Sequence, residues 1–540
     1  MRVSALKFPL VLLPFVAVLL AGCGRRETPV AEGIRTRTLI VGNSAEPADL
    51  DPHLAEAYTD QILLVALYEG LTVLDERTSR PLPGVAESWE TSADGLTWTF
   101  RLRAGARWSN GDVVTAHDFV FSFRRLLSPA LGASLSYMLW PVRNAEAFNT
   151  GKLADFGAVG IAAPDDRTLR LTLAHPVPHL AALAAHSSWL PVHRPTLERF
   201  DAVTRRGGAW TRPGSLVGNG PFTLADWRPN ARLAVARNPR YWDAARNRLE
   251  GVVFLPVEKS EVEELNYRAG QMHLTFALPP AKVEGYRRES PSPLRIDPLL
   301  NVTYMNFNVT RPPLDQPKVR RALSLAIDRD ALARAVFLGT RAPAPSFTPP
   351  DCGGYTARAG VATDAEAARM LLAEAGFPGG RGLPVFPVQV QNDSTYPRIM
   401  EAIQAMWLKE LGVRSTIEPL EQKTWVQNQQ SKQHVIGLMG WTGDYPDPLT
   451  FLGIFRSGGG NNWTGWVSPA YDALLDGTDQ TADAARRLEL FQQAEALLLQ
   501  EAPVTPLVFG SRTYLIHPAV KGWEPSPLGM HRFQLVELRE

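Results

Sequence analysis

The fold class is indicated most clearly by residues 385–417, which read VFPVQVQNDSTYPRIMEAIQAMWLKELGVRSTI. An apolar strand from Val385 to Gln391 leads into a helical stretch from Pro397 to Leu411, which stops at Gly412 and is followed by a β-rich run from Val413 to Ile417. The helix carries an apolar stripe at helical spacing, formed by Ile399, Ile403, Met406 and Leu411. A right-handed crossover would lay this stripe over a parallel pair of strands, so the segment predicts a βαβ unit within an α/β lobe.

The segment just upstream predicts a further helix. Thr363 and Glu366 have the spacing of a capping box, which indicates a helix that begins there, runs through Ala375 and ends at Gly376. Both signals favour an α/β organisation for this half of the chain.

The first half of the chain has a more mixed pattern. Alternating strand patterns at Thr97 to Arg103 and Gly251 to Val257 occur among Pro- and Gly-rich turns and helices such as His117 to Leu127. A first lobe of mixed α and β structure is the interpretation that fits.

Length and composition bound the possible functions. With 540 residues and 45% hydrophobic composition, the chain exceeds what one core usually supports, so two or three domains are expected. The formal net charge is +1, from 56 basic and 55 acidic residues, which gives no indication of a nucleic-acid partner. Of the two cysteines, Cys23 is expected to carry lipid, which leaves Cys352 without a partner and predicts no disulfide.

The N-terminus has the features of a secretory signal. Arg2 and Lys7 precede an apolar run from Phe8 to Leu20 that is too short for a membrane span. The run closes with Leu20-Ala21-Gly22-Cys23, which resembles the lipobox of bacterial lipoproteins and implies cleavage before Cys23 and acylation of that residue. A plain signal with an accidental cysteine is the alternative. We expect a periplasmic or cell-surface lipoprotein whose only membrane contact is this lipid.

A series of segments in order along the chain resembles the bacterial extracellular solute-binding proteins of the oligopeptide and dipeptide type, family 5. The early segments are Glu46-Pro47-Ala48-Asp49-Leu50-Asp51-Pro52, Leu67-Tyr68-Glu69-Gly70-Leu71, Pro83 to Trp89, Trp108 to Asp112 and Val114 to Phe119. The later ones are Gly218 to Phe222, Asn238-Pro239-Arg240-Tyr241-Trp242, Val319 to Arg329, Leu371 to Phe377 and Trp441-Thr442-Gly443-Asp444-Tyr445-Pro446-Asp447-Pro448. The resemblance covers nearly the whole mature chain.

The resemblance implies a two-lobed periplasmic binding protein fold of the large, three-subdomain type, with a hinge between the lobes. By this resemblance, the chain is expected to divide into a signal peptide 1–22; a lipidated N-terminus and linker 23–37; the core subdomain of lobe I 38–58, 185–300 and 508–540; the second subdomain of lobe I 59–184; and lobe II 301–507.

The resemblance also implies that an extended peptide is held between the lobes. A receptor for many sequences should bind the main chain and charged termini, so strand addition is the expected mode. The matching residues are Gly440, Trp441 and Thr442 on one lobe and Glu46 to Ala48 on the other. Pro47 lacks an N–H donor, which makes the first group the stronger candidate.

Asp444 matches the carboxylate that meets the peptide's N-terminal ammonium in this family. The alternative is an aspartate that only caps backbone groups of the turn at Asp444-Tyr445-Pro446. Trp441 is either a core tryptophan or a platform beside a ligand side chain. Tyr137 resembles a ligand-facing tyrosine of the first lobe.

The positions that hold the peptide's C-terminal carboxylate in some relatives correspond here to Leu438, Gln429 and Pro397. None of these side chains carries a positive charge, although the neighbouring Arg398 could substitute. We therefore expect peptides of several lengths to bind, with little discrimination between a C-terminal acid and its amide.

No catalytic motif is present: there is no Gly-x-Ser-x-Gly, His-Glu-x-x-His, phosphate loop or Cys-x-x-Cys. The histidines His175, His179, His186 and His193 could bring metal ligands together, but Pro176, Pro178 and Pro191 interrupt any helix among them. We expect neither a metal site nor a cofactor.

Three functions remain, led by oligopeptide capture for an ABC importer, with a permease and ATPase complex as partner and a monomeric receptor. The second is a relative that binds another solute, such as a nickel chelate, haem or a cell-wall peptide. The third, a periplasmic enzyme, has no motif in its favour.

Overall fold

The computed structural model describes residues 27–392 and 395–540, so the predicted signal peptide and the predicted lipidation site Cys23 lie outside the described residues. Within these ranges the strands are, in chain order, β1 (Thr38–Gly42), β2 (Thr72–Leu74), β3 (Pro81–Pro83), β4 (Ala86–Thr91), β5 (Thr97–Leu102), β6 (Ile161–Asp165), β7 (Thr168–Thr172), β8 (Phe222–Arg228), β9 (Arg232–Arg237), β10 (Gly251–Leu255), β11 (Leu294–Phe307), β12 (Ala342–Pro343), β13 (Phe386–Gln391), β14 (Ser415–Leu420), β15 (Ile436–Thr442), β16 (Val504–Leu515), β17 (Val520–Lys521) and β18 (Glu537–Leu538).

The helices of the same ranges are α1 (Pro29–Thr36), α2 (Tyr58–Leu67), α3 (Ala116–Leu126), α4 (Ala145–Asn149), α5 (Leu180–Leu183), α6 (Arg194–Arg199), α7 (Ser260–Arg268), α8 (Pro280–Arg287), α9 (Pro317–Leu325), α10 (Arg329–Phe337), α11 (Ala365–Glu374), α12 (Tyr396–Leu411), α13 (Gln422–Gln430), α14 (Leu449–Leu452), α15 (Pro469–Asp479) and α16 (Ala484–Glu501). None of them is long and apolar enough to cross a membrane.

Three larger sheets organise the chain. The first has the order β1-β10-β9-β8, the second is the antiparallel sheet β4-β5-β7-β6, and the third is the six-stranded mixed sheet β12-β16-β11-β15-β13-β14. Each sheet lies in its own set of buried apolar side chains: residues 39–68 with 222–254 and 514–536 around the first, 71–189 around the second, and mainly 300–509 around the third. The mixed α and β character expected for the first half is confirmed.

The predicted βαβ unit is confirmed. β13 and β14 pair in parallel from Phe386↔Ser415 to Gln391↔Leu420, and α12 connects them. Three of the four stripe residues, Ile399, Ile403 and Leu411, are buried, and Trp407 joins them in the core. The helix ends at Gly412, whose φ of 66° is a left-handed conformation that suits glycine.

The predicted capping box at Thr363 and Glu366 is wrong. The N-cap of α11 is Asp364, whose carboxylate accepts from the Ala367 N–H at 2.9 Å. The Thr363 hydroxyl instead donates to the carbonyl of Ile327 at 2.9 Å, a contact with a distant turn that a local pattern does not reveal. Aspartate is the better cap of the two, and the tertiary contact uses the threonine elsewhere.

A buried ion pair ties the loop after β1 to α3. The Arg125 guanidinium donates to both carboxylate oxygens of Asp51, at 2.9 and 2.6 Å, and both side chains are almost fully buried. Arg125 also donates to the carbonyls of Ala202 and Val203. The pair thus joins one segment that carries the family resemblance, Glu46 to Pro52, to the helix α3.

β11 and β16 are the longest strands of the described residues, and they run antiparallel beside each other. Their pairing has a register shift between Pro298 and Val302. The lobe borders near 300 and 507 implied by the resemblance fall on these two strands, and the borders themselves stay a prediction.

Candidate functional site

β15 leaves the hydrophobic core towards its C-terminal end. Its first four residues, Ile436 to Met439, are buried, whereas Gly440 and Thr442 are exposed and Trp441 is half-buried. β11 pairs with β15 along its whole length, but β13 pairs with it only at Ile436 and Gly437. Beyond Gly437, no strand in the described ranges covers the second edge, so backbone groups of residues 438–442 on that edge can accept another strand.

The side chains of Trp441 and Thr442 form hydrogen bonds with other parts of the chain and leave the backbone edge of the strand open. The Trp441 indole N–H donates to the Thr450 carbonyl at 2.7 Å, and its ring packs at the border of a core cluster. The Thr442 hydroxyl accepts from the Asn301 amide at 2.8 Å. Trp441 therefore combines a structural contact with a position beside the open edge.

Asp444 follows directly after β15 and carries the least compensated charge of the site. Its backbone N–H donates to the Thr450 hydroxyl at 3.0 Å, yet its carboxylate has neither a hydrogen-bond partner nor an ion pair among the residues that the structure describes. Burial raises the pKa of this carboxyl to about 6. The carboxylate that caps the turn is Asp447, which accepts from the Leu449 N–H at 3.0 Å, so the capping alternative for Asp444 is wrong.

Asp444 and Thr442 line a cavity of about 300 Å³. The facing walls come mainly from residues 56–79, 182–190 and 526–534, which are distant in sequence from residues 442–445. A cavity of this size between separate parts of the chain, largely apolar and with a few polar groups, is typical of a ligand site.

Tyr137 lies on a short 3₁₀ helix, Ser134–Leu139, and its side chain is exposed. It lines a smaller neighbouring cavity of about 90 Å³ that shares Tyr445 with the larger one. Although Tyr137 is 42% exposed as a residue, partial burial of its phenol is the largest cause of a raised pKa, and the Asp444 carboxylate is the second. The two predicted residues are therefore close enough to interact electrostatically.

Glu46 and Ala48 do not line either cavity in this structure. The Glu46 carboxylate accepts from the Trp227 indole N–H at 2.6 Å and from the Asn230 N–H at 2.9 Å. The Ala48 N–H donates to Asp60 at 3.1 Å. Their side of a ligand strand would therefore be formed by main-chain carbonyls rather than by the Ala48 N–H or the Glu46 side chain.

Glu69 is a cavity residue that the sequence did not single out. Its carboxylate accepts from the Tyr241 hydroxyl and, at 2.6 Å, from the Trp242 indole N–H. Burial raises the pKa of Glu69 to about 7, against the opposing effect of these two donors. The signal was present in part, because Glu69 and Tyr241-Trp242 belong to two of the segments that carry the family resemblance.

The positions considered for a C-terminal carboxylate differ in their surroundings. Leu438 and Gln429 are fully buried in the core, and the Gln429 amide exchanges hydrogen bonds with Asn306 and Gln389. Arg398 is exposed and does not line the cavities.

Three of the four histidines have separate partners. His193 contacts Asp112 at 3.0 Å, His186 contacts Ser188 at 2.8 Å, and His179 lies 3.6 Å from Asp447. In residues 27–392 and 395–540, no group of three or more His, Cys, Asp or Glu side chains is arranged to hold a metal ion.

The comparisons with known proteins agree with this geometry. The family model of the bacterial extracellular solute-binding proteins, family 5 Middle, matches residues 80–463, which is more than half of the chain. The periplasmic oligopeptide-binding protein OppA of Salmonella typhimurium is 34% identical over 534 residues, 96% of each chain. The probable deoxycholate-binding periplasmic protein YgiS of Escherichia coli (strain K12) is 33% identical over 489 residues, 89% of each chain.

Among solved structures, the unliganded open form of the periplasmic murein tripeptide-binding protein MppA superposes with a TM-score of 0.81 at 30% identity, over 93% of this chain and 97% of that one. The mixed α/β architecture is thus that of the two-lobed periplasmic binding proteins, as expected. The chain belongs to the bacterial extracellular solute-binding proteins of family 5.

Proposed function

We propose that this protein captures peptides between its lobes and delivers them to an ABC importer. The observation that carries the proposal is the unpartnered, largely buried carboxylate of Asp444, which lies in the cavity at the end of a strand with an open edge. Relatives named for oligopeptide and murein tripeptide binding support this ligand class.

The open edge at Gly440, Trp441 and Thr442 suits an extended peptide. Main-chain hydrogen bonds along this edge give affinity that does not depend on the ligand's sequence, while side chains enter the cavity and its water. On the facing side, the chain at Glu46 to Ala48 would offer carbonyl groups as the lobes close, with Tyr137 beside the first peptide residue.

Asp444 would receive the N-terminal ammonium of the peptide. A buried carboxylate without a partner is unfavourable in the free protein, and an ammonium group removes that cost while forming a charge-assisted hydrogen bond. Closure of the lobes excludes water and strengthens the attraction.

A solute other than an ordinary oligopeptide is the second candidate class, since relatives include one named for deoxycholate and one for a murein tripeptide, a cell-wall peptide. Nickel chelates and haem belong to the same class of alternatives. The carboxylate of Asp444 favours a ligand with a positive amine over these. We also propose that the protein does not turn over its ligand, so peptides recovered after long incubation should be intact by mass spectrometry.

The cellular setting is part of the proposal. Cys23 would carry the lipid that anchors a monomeric receptor at the periplasmic or outer face of a membrane, next to a permease and ATPase complex. Labelling with radioactive palmitate should mark the native chain and leave Cys23→Ser unlabelled, and the variant should be released in soluble form.

The amine anchor is tested by calorimetry with one tetrapeptide, free and N-acetylated. We expect Asp444→Ala to weaken binding of the free peptide by about 2–5 kcal/mol, because the ligand's charge is left unpaired in a closed site. Acetylation should cost the native protein a similar amount and should cost the variant little. Asp330→Asn, an exposed aspartate of α10, is the matched control. Equal affinity of the native protein for both peptides would refute the role of Asp444.

A further inference from the structure

A positively charged side chain lines the same cavity, in a segment that is distant from Asp444 in sequence. Arg532 lines the cavity in the segment 526–534, and among the described residues that line it this is the one side chain of the Arg or Lys type. The residue is half-buried. The guanidinium is a planar cation, so this wall of the cavity carries a positive charge at one point.

The guanidinium of Arg532 has no partner in the described part of the chain. No carboxylate oxygen lies within 4.0 Å of it, and its Nε–H is buried without an acceptor. Its backbone N–H is used, since it donates to Glu76. Arginines in this position usually form planar, two-pronged contacts with a carboxylate, and here the five N–H donors of the side chain are left for another group.

Two neighbouring acids, Glu69 and Asp75, do not pair with Arg532 because their carboxylates accept from other donors. Glu69 accepts from Tyr241 and Trp242, and Asp75 accepts from the Thr78 N–H and hydroxyl. The Arg532 charge lowers the pKa of Glu69, behind the larger effect of burial that raises it, so the two groups are near each other without pairing.

The residues on either side of Arg532 add further unpartnered polar atoms. His531 and Gln534 are 4% and 3% exposed and line the same cavity, and neither His531 Nδ1 nor Gln534 Oε1 has a hydrogen-bond partner. The His531 ring is held by stacking on Trp523 at 3.8 Å, and Nδ1 lies 3.9 Å from Glu76. The segment 526–534 thus places several polar groups along one wall of the cavity.

We infer that Arg532 binds a carboxylate of the ligand, so that the cavity selects ligands that carry an amine for Asp444 and an acid for Arg532. The inference rests on the proposed function and names a specificity residue for it. It also supplies the cation that positions Leu438, Gln429 and Pro397 lack. The acid is either the peptide's C-terminus or a glutamate or aspartate side chain, which are chemically equivalent at a guanidinium.

The test is calorimetry with tetra-alanine as acid and as C-terminal amide, and with glutamate or glutamine at each of its first three positions. At least one acid should bind the native protein about tenfold or more tightly than its neutral partner. Whether the amide pair or a glutamate–glutamine pair shows the difference identifies the source of the carboxylate.

Arg532→Gln should reduce that ratio to about one, whereas Arg532→Lys, which keeps the charge without the two-pronged geometry, should retain part of it. Native-like binding of a neutral, free-amine peptide by Arg532→Lys demonstrates that the fold tolerates a change at this position. Loss of the ratio in Arg398→Gln instead would assign the acid to Arg398 and overturn the inference.

The remaining outcomes separate the two proposals. If free-amine peptides bind but no acid is preferred over its neutral partner, the role of Arg532 is refuted and peptide capture stands. If no peptide binds, peptide capture fails and the role of Arg532 fails with it.

Discussion

Asp444 and Asp447 lie on the same short turn, and their carboxylates have opposite surroundings. The Arg487 guanidinium donates to both oxygens of Asp447, at 2.5 and 2.9 Å, in a buried pair. Burial opposes the ionised form of Asp447, but His179 and Arg487 outweigh it and hold the pKa of this carboxyl below its ordinary value. At Asp444 no cation of the described residues offsets the effect of burial, so the pKa of its carboxyl is raised. One carboxylate therefore stabilises the turn, and the other is available to a ligand.

This difference predicts that Asp444→Asn stabilises the ligand-free protein at high pH. The folded-state pKa of about 6 lies above the ordinary 3.8, so ionisation favours the unfolded chain above pH 6 and has no effect below 3.8. We expect a gain on the order of 2 kcal/mol at pH 8 and none at pH 4. Thermal unfolding of both proteins, freed of co-purified ligand, measures it. A variant that is less stable than the native protein at pH 8 would contradict the unpaired state of Asp444.

A second residue-scale prediction concerns the buried pair of Arg125 and Asp51. Arg125→Met leaves the Asp51 carboxylate buried without its partner, and we expect the free energy of unfolding to fall by about 3–5 kcal/mol. Arg194→Met is the matched control, because Arg194 pairs with Glu198 on the surface, where such a pair contributes about 0–0.5 kcal/mol. Urea unfolding midpoints compare the two variants, and similar losses in both would show that burial does not set the cost.

The sequence identified Asp444 only through its likeness to a family motif, because its local pattern equally favours a turn aspartate. Arg532 had no such motif. Arg532 is notable because it lines a cavity formed by chain segments that are separated by hundreds of residues. In addition, the neighbouring carboxylates of Glu69 and Asp75 accept hydrogen bonds from groups other than Arg532. No spacing along the chain encodes those relations.

At the scale of single elements, β15 is the central strand of the site. It is flanked on both sides at Ile436 and Gly437 but on one side only from Leu438 onward, because β13 diverges there. One end of β15 is thus buried in the core, and the other end has a backbone edge that is not paired with a strand in the described ranges. Exposed edges are usually shielded in soluble proteins, which makes this one a candidate for strand addition by a ligand.

We predict that Gly440→Val weakens peptide binding by about tenfold or more with little change in stability. A Cβ atom at this position would lie 2.9 Å from the Tyr396 hydroxyl, so a branched side chain would displace that ring on the face of β15 beside the edge where a peptide would pair. Gly105→Val is the control, because a Cβ there meets open space. Calorimetry and thermal unfolding together check it, and unaltered affinity would place the peptide elsewhere.

The sequence predicted elements best where an apolar period continued over many residues. α12 with its flanking strands has such a period, and its termination by Gly412 follows from local backbone chemistry. The capping box at Thr363 failed because the choice between two adjacent capping residues was decided by the distant carbonyl of Ile327. The open edge of β15 was also beyond prediction in detail, since it depends on where β13 diverges.

At the scale of the whole molecule, two sets of contacts bear on the proposed movement of the lobes. β11 and β16 run side by side across the proposed lobe borders, and their pairing is irregular between Pro298 and Val302. A second contact links distant segments beside the site: the His179 ring stacks on Tyr445 at 5.0 Å between centroids, with planes inclined by 8°. We propose that the paired strands form the hinge and that the walls on either side of the cavity move about it.

The last prediction is that peptide closes the molecule in solution. Asp444 lies on one wall of a cavity whose facing wall comes from segments distant in sequence, so closure of the proposed lobes would bring that wall onto a ligand held at Asp444. A ligand shifts the equilibrium only by the difference between its affinities for the two states, and the amine at Asp444 together with an added strand on β15 provides that difference. Small-angle scattering should therefore show a smaller radius of gyration with saturating free-amine peptide. The N-acetylated peptide at the same concentration should leave the radius at its ligand-free value, because it lacks the charge that Asp444 requires. An unchanged radius with the free peptide, under conditions where calorimetry shows the site to be filled, would mean that capture does not depend on closure about β11 and β16.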